Sequence, residues 1–151
     1  MASLREHLTS EHVDREMTRF LTEAGYFLYI TGKLDDAETA LTGASASDPK
    51  DPVPLVALAE TLLANGKAAK AERAARDACD LAAAQDHDAM PFAWLIRGDC
   101  QMALKKRDRA ADTWRHAADL DPGGPVATVA SDRLSMSGEN AGATAPPRED
   151  T

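Results

Sequence analysis

Residues 98–122 read GDCQMALKKRDRAADTWRHAADLDP and decide the fold, because an earlier stretch of the chain repeats their spacing. That stretch, GYFLYITGKLDDAETALTGASASDP, fills residues 25–49 and starts 73 positions earlier. The identical pairs are Gly25 and Gly98, Lys33 and Lys106, Asp35 and Asp108, Ala37 and Ala110, Ala44 and Ala117, Asp48 and Asp121, and Pro49 and Pro122. Glycine, alanine and proline that recur together at one offset indicate an internal repeat.

A third copy lies between these two. Its positions come 34 residues after those of the first copy and 39 residues before those of the last. Its small and charged residues that match the first copy are Gly66, Lys67, Ala71 and Ala78. The five extra residues before the last copy fall within AAAQDHDAMP, residues 82–91. A period of about 34 residues predicts a stack of helical hairpins, with two antiparallel helices, A and B, in each copy.

Glycine and proline mark the ends of the predicted helices. In the first copy we expect helix A over about 12–31 and helix B over about 34–47. Gly32 suits a left-handed turn between them, and Pro49 prevents helix B from continuing. Helix B of the middle copy lacks such a proline and is expected to run to about Asp86.

Small residues recur where the two helices of each hairpin should cross. In the A helices they are Gly25, Ala59 and Gly98, and in the B helices they are Ala37, Ala71 and Ala110. Glycine within a helix costs about 1 kcal/mol relative to alanine, so its use there indicates a close approach of two helices. A larger packing position lies between the small residues of each helix B and holds Leu41, Ala75 and Trp114.

The composition favours an all-α soluble protein and excludes several classes of function. The chain has 151 residues, is 44% hydrophobic but only 5% aromatic, and carries a net charge of −8. An acidic chain disfavours nucleic-acid binding. The absence of a long apolar stretch predicts no membrane insertion and no signal peptide, and hence a cytoplasmic location. Cys79 and Cys100 are then expected to be reduced, partly buried side chains.

The repeated positions resemble the tetratricopeptide repeat (TPR) family over about residues 18–122. The third copy carries the pattern best, in Trp94, Gly98, Ala110, Trp114, Ala117 and Pro122. It also departs from the family, because Arg97, Gln101 and Lys105 replace the expected leucine, aromatic residue and glycine. The resemblance implies an all-α superhelix, an α-solenoid of about three helix-turn-helix repeats.

The predicted organisation adds flanking segments to three repeats. Residues 125–136, PVATVASDRLSM, are expected to form a capping helix with Val126, Val129 and Leu134 turned inward. Residues 2–10 suggest a separate short helix within an N-terminal arm. The predicted segments are the arm (1–11), TPR 1 (12–51), TPR 2 (52–86), TPR 3 (87–124), the capping helix (125–136) and a disordered tail (137–151).

The sequence offers no catalytic constellation, and we expect neither an enzyme nor a cofactor or metal site. The four histidines, His7, His12, His87 and His116, are scattered over the arm, a linker and a helix B. The i,i+4 pairs His7 with Glu11 and His12 with Glu16 are better explained as solvated faces than as metal ligands. No glycine-rich phosphate loop or nucleophile elbow is present.

Function is therefore expected to reside in a surface, namely the concave wall formed by the A helices. Positions at 3-4-3 spacing in each A helix should line this groove, and eight of the twelve are aromatic or aliphatic. The predicted groove residues are Arg19, Thr22, Tyr26 and Tyr29 from TPR 1, Val53, Val56, Glu60 and Leu63 from TPR 2, and Phe92, Leu95, Asp99 and Met102 from TPR 3. Alternatively, the same residues pack against neighbouring helices, the arm or the capping helix.

The groove chemistry argues against one ligand class and favours another. TPR proteins that hold chaperone C-terminal tails clamp a carboxylate with lysine and asparagine, whereas this chain has Tyr26, Glu60 and Asp99 at comparable places. The acidic chain with its arm, three repeats and apolar wall is similar to the translocator chaperones of type III secretion. That resemblance implies a groove that holds an extended apolar segment of a client protein.

Two hypotheses follow. The first is a non-enzymatic chaperone or adaptor that binds such an apolar client segment. Its candidate client contacts are Tyr26, Tyr29, Val56, Leu63, Phe92 and Leu95. The second is a general scaffold or assembly subunit that acts through its arm and convex face. The arm is also a candidate for homodimerisation.

Overall fold

The computed structural model describes the backbone of residues 4–138 and the side chains of residues 13–138. Over this range the chain forms helices and turns, without strands. The seven helices are α1 (Leu4–Ile30), α2 (Leu34–Ser47), α3 (Pro52–Ala64), α4 (Ala68–Gln85), α5 (Met90–Ala103), α6 (Arg107–Leu120) and α7 (Pro125–Met136).

The helices pack as three successive hairpins followed by one further helix. α1 packs with α2, α3 with α4 and α5 with α6, while α2 contacts α3, α4 contacts α5 and α6 contacts α7. This arrangement confirms the predicted all-α repeat solenoid. None of the described helices combines the length and apolar character needed to cross a membrane.

Most predicted helix boundaries agree with the structure, and the arm is the exception. α2 and α7 span the predicted residues, and α4 ends at Gln85 because Asp86 adopts a left-handed conformation. No separate helix forms over the described residues 4–10, because α1 runs unbroken from Leu4 through a segment that contains neither glycine nor proline before Gly25. The predicted disordered tail lies outside the described residues, apart from its first two.

Each A helix ends in the same left-handed turn, but the third repeat builds it without glycine. Gly32 and Gly66 have φ angles of 81° and 77°, and Lys105 has a φ angle of 62°. In all three turns the next residue donates its backbone N–H to a carbonyl five positions earlier, as from Lys106 to Gln101 at 2.9 Å. Lys105 therefore holds a conformation that costs a non-glycine residue about 1 kcal/mol.

We expect Lys105→Gly to raise the free energy of unfolding by about 0.5–1 kcal/mol, because glycine adopts this conformation without strain. Urea denaturation followed by circular dichroism measures the change. Lys106→Gly is the matched control, since Lys106 has a φ angle of −90° and gains nothing from glycine. A stabilisation of both variants, or of neither, would contradict this explanation.

The glycines within α1 and α5 leave room for one large side chain each. A Cβ atom on Gly25 would lie 2.5 Å from Leu41 Cγ, and one on Gly98 would lie 2.5 Å from Trp114 Nε1. The close partners are thus the larger residues of helix B, and not Ala37 and Ala110 as the sequence suggested.

The middle repeat has Ala59 and Ala75 at these two positions, and both are buried. Ala75 is smaller than Leu41 and Trp114 at the same position of the other B helices, and Ala59 is larger than the glycines of the other A helices. The two changes in side-chain volume therefore compensate each other.

The alanines at the helix crossings form the centre of the core. Ala37, Ala71 and Ala110 are fully buried. Cys79 and Cys100 are buried free thiols, and desolvation raises the pKa of each to about 12. The core thus combines small side chains, which repeat from hairpin to hairpin, with larger ones such as Leu41 and Trp114.

Candidate functional site

Ten of the twelve predicted groove residues keep accessible surface on α1, α3 and α5, and the surface that they form is called the inner face below. Tyr26 and Tyr29 are one turn apart on α1, with ring centroids separated by 6.0 Å. Tyr26, Val53 and Phe92 expose 48%, 40% and 40% of their surface. Tyr29 is half-buried, as are Leu63 on α3 and Met102 on α5. Six apolar or aromatic side chains from three repeats therefore remain accessible on this face.

Charged and ionisable groups of neighbouring A helices influence each other on this surface. Burial raises the pKa of Tyr29, and the nearby Glu60 carboxylate on α3 raises it further. Burial also raises the pKa of Glu60 to about 7, with a second contribution from Asp99 on α5. The inner face thus contains a line of groups from Tyr29 through Glu60 to Asp99.

Asp99 is held by the protein itself, which limits its availability to a ligand. Trp114 Nε1 donates to Asp99 Oδ1 at 3.0 Å, and Arg133 on α7 donates from Nε and Nη2 to the two carboxylate oxygens at 2.9 and 3.2 Å. This ion pair attaches α7 to α5 and closes one end of the inner face. Arg133 was not among the predicted groove residues, although the sequence places it in the last turn of the predicted capping helix.

Two predicted groove residues belong to the core instead. Val56 and Leu95 are exposed by only 5% and 2%. Val56 clusters with Ala93 and Ile96 of α5, and Leu95 clusters with Leu134 of α7. Successive A helices pack on each other at this position. The 3-4-3 spacing therefore selected two kinds of residue: those that line the groove, and those that are buried between repeats.

The comparisons with known proteins agree with this geometry. Residues 28–89 match the family model of the tetratricopeptide repeat. Residues 28–89 therefore form a segment of the tetratricopeptide repeat type. No curated protein matches the sequence.

Solved structures similar to this chain include TPR domains, one of them with a bound peptide. The first TPR domain of human RPAP3 shares 26% identity and a TM-score of 0.69, covering 80% of this chain and 91% of that domain. The first TPR of Spaghetti (RPAP3), bound to the HSP90 peptide SRMEEVD, gives 26% and 0.68, with coverage of 80% and 92%.

The Yersinia enterocolitica type III secretion chaperone SycD, in complex with a peptide of the translocator YopD, shows similarity in fold alone. Its identity is 18% and its TM-score 0.68, with coverage of 79% of this chain and 87% of SycD.

Two clefts are lined by predicted groove residues near the ends of the inner face. Arg19, Thr22 and Val53 line one cleft of about 440 Å³ between α1 and the start of α3. Arg19 pairs there with Glu23, with 3.2 Å between Nε and Oε1. At the other end, Met102 lines a cleft of about 420 Å³ next to α7.

The histidines with described side chains have structural contacts. His87 Nδ1 accepts a hydrogen bond from the Ala89 N–H at 3.0 Å, at the start of α5. The His116 ring meets the Trp94 ring edge-on, with 4.3 Å between centroids. His7, Glu11 and His12 belong to the i,i+4 pairs considered above as metal ligands. Their side chains lie outside the described residues.

From the raised pKa of Glu60 we expect the stability of the protein to depend on pH. Because the pKa is higher in the folded state, the protonated carboxyl contributes stability that is fully present below about pH 4.5 and is lost as the pH rises through about 7. We therefore expect Glu60→Gln to be more stable than the wild type at pH 8, by about 1–2 kcal/mol after allowance for solvent screening.

Urea denaturation at pH 4.5 and pH 8 measures this difference, which should shrink at the lower pH. Glu16→Gln is the matched control, because Glu16 is exposed on α1 and its substitution should leave stability nearly unchanged at both values. An equal effect of Glu60→Gln at the two pH values would refute the assignment.

Proposed function

We propose that this protein binds an extended apolar segment of a client protein along its inner face, and so acts as a small chaperone or adaptor similar to type III translocator chaperones. The observation that carries the proposal is the row of accessible side chains across three repeats. Those residues are Tyr26, Tyr29, Val53, Leu63, Phe92 and Met102. Accessible apolar surface that continues from repeat to repeat favours partner binding.

The charges of the inner face favour a neutral or basic client segment. Glu60 lies in the middle of the face, and Arg133 neutralises Asp99 at its end. Arg19, the cation among the predicted groove residues, is paired with Glu23. Because the pKa of Glu60 is about 7, its carboxyl is only partly ionised at neutral pH. An acidic peptide such as SRMEEVD would find no unpaired cation among the predicted groove residues, whereas a lysine between apolar residues would stabilise the charged form of Glu60.

Fluorescence anisotropy with synthetic peptides tests the proposal. The probes are labelled nonapeptides with blocked ends, in which leucine or valine alternates with lysine, serine or aspartate. We expect the lysine series to bind most tightly and the aspartate series least. Tyr29→Ala combined with Phe92→Ala should weaken binding of the lysine peptide at least tenfold, by about 1.4 kcal/mol, with helical content unchanged.

Phe27→Ala is the matched control for this test. Phe27 is also an exposed aromatic residue of α1, but it lies outside the predicted groove positions, so its substitution should leave the peptide affinity unchanged. Equal binding by the wild type and the Tyr29/Phe92 variant would overturn the proposal, as would loss of binding in the Phe27 variant alone.

The scaffold alternative is favoured by a further cleft, of about 370 Å³. Residues of α2, α3 and α4 line it, with Leu55, Leu58 and Leu62 of α3 among them. A scaffold acting through its arm and convex face would lose its partner when residues 1–11 are deleted and would tolerate the Tyr29/Phe92 substitution. Pull-down from native extract with both variants separates the two functions.

The cytoplasmic location of the protein stays a prediction.

A further inference from the structure

The first helix carries an apolar stripe that the described part of the chain leaves uncovered. Phe20, Phe27 and Ile30 each expose 66% of their surface, and Met17 exposes 49%. Among the described helices α1 contacts only α2 and α3, and its contact with α3 is the smaller one. The stripe is therefore distinct from the face that packs within the first hairpin.

Two of the four stripe positions, those of Phe20 and Phe27, are buried in the other two repeats, whereas the positions of Met17 and Ile30 keep accessible surface there. The repeat offsets place Phe20 in register with Pro54 and Ala93, both of which are buried. They place Phe27 in register with Thr61 and Cys100, which have no exposed surface.

The preceding helix B accounts for this burial, because α2 packs on α3 and α4 packs on α5. The first repeat thus presents a stacking face for which the described residues supply no covering helix, and it bears two phenylalanines there.

The stripe is arranged symmetrically along α1. Phe20 and Phe27 are equally far from the midpoint between Glu23 and Ala24, and Met17 and Ile30 are also equally far from it. Two helices related by a twofold axis and packed antiparallel bring each residue opposite the one at the mirrored distance from this midpoint. Such a surface is complementary to a second copy of itself.

We propose that two copies of this chain associate through antiparallel packing of their α1 stripes, residues 17–30. Phe20 of one copy packs on Phe27 of the other, with Met17 and the second copy's Ile30 on either side. This four-residue cluster occurs twice, once at each end of the contact, and Ala24 near the axis allows the helices to approach. The contact differs from the sequence expectation, which placed dimerisation in the arm of residues 1–11.

The size and charge of the stripe set the expected affinity. The four side chains offer roughly 500 Å² per copy, given the area of a typical aromatic or aliphatic side chain, which is below the roughly 800 Å² of a standard interface. Glu23 of each copy lies beside the axis but is paired with its own Arg19, so the repulsion between the two carboxylates is reduced. We expect a dissociation constant in the micromolar range.

Sedimentation velocity of the full chain between about 1 and about 100 µM tests the proposal. The wild type should shift from monomer to dimer over this range. Phe20→Glu alone and Phe27→Lys alone should each weaken dimerisation at least tenfold, with helical content unchanged because both sites are exposed. Phe92→Ala, which alters an exposed aromatic residue of α5, is the control and should dimerise as the wild type does.

Mixing the two charged variants tests the antiparallel register. In the mixed dimer Glu at 20 faces Lys at 27 in one cluster, and the other cluster keeps both phenylalanines, so the mixture should dimerise more tightly than either variant alone. A parallel arrangement would pair each introduced charge with a phenylalanine and give no recovery. A wild type that stays monomeric, dimers that resist both substitutions, or an absence of recovery would each overturn the proposal.

Discussion

Replacing Gly98 with alanine is expected to lower the free energy of unfolding by about 2–4 kcal/mol, although alanine is the better helix former. The added methyl group would lie 2.5 Å from Trp114 Nε1, well inside van der Waals contact. Trp114 has little room to yield, because it is 2% exposed and its indole N–H donates to Asp99 at 3.0 Å. Overpacking should therefore exceed the gain in helix propensity.

Two further variants isolate this contact in urea denaturation. Gly43→Ala is the matched control within α2, since its methyl group would meet Leu21 Cδ1 at an ordinary 3.5 Å; it should be neutral or stabilising by up to about 1 kcal/mol. In the Trp114→Ala background, which reproduces the Ala59 and Ala75 pairing of the middle repeat, Gly98→Ala should cost at least about 1.5 kcal/mol less than in the wild type. Equal costs in both backgrounds would refute the volume argument.

Ala71→Lys is expected to have the largest effect, a loss of about 4 kcal/mol or more, because it introduces both volume and a charge into the centre of the core. Ala71 is fully buried in the cluster that joins α3, α4 and α5. The middle repeat contacts both neighbours, so its loosening should reduce the cooperativity of the whole stack.

Thermal unfolding followed by circular dichroism measures this loss, and Ala69→Lys is the matched control. Ala69 lies two positions earlier in α4 and is exposed, so the same substitution there should change stability by less than about 0.5 kcal/mol. A similar melting temperature for both variants would show that α4 does not pack as described.

The fold could be predicted from the sequence because its main determinants are local and repeat. Gly32 and Gly66 mark left-handed turns, and the constant spacing between copies places the buried alanines. Lys105 adopts the same conformation without the matching residue type, because the hydrogen bonds of the turn, common to all three repeats, impose it. The extent of α1 was less predictable, since the sequence from Leu4 onward contains no signal that separates an arm from helix A.

The candidate site was less predictable because it depends on contacts between repeats. Helical spacing gave the same expectation for Val56 as for Val53, yet the first is buried against α5 and the second is 40% exposed. Gln101 replaces an expected aromatic residue and is buried because Thr113 Oγ1 donates to its Oε1 at 2.6 Å. Such pairings between distant residues leave no periodic signal in the sequence.

The attachment of α7 gives the solenoid two unequal ends. Arg133 bonds to Asp99 and Leu134 is buried at the far end, whereas the described residues supply no corresponding seal over the first hairpin. In a linear array whose units are held only by their neighbours, fraying begins where the fewest neighbours are present. Amide protons of α1 and α2 should accordingly exchange with deuterated solvent sooner than those of α5 and α6. Unfolding of the array should therefore begin at the first hairpin and proceed towards α7.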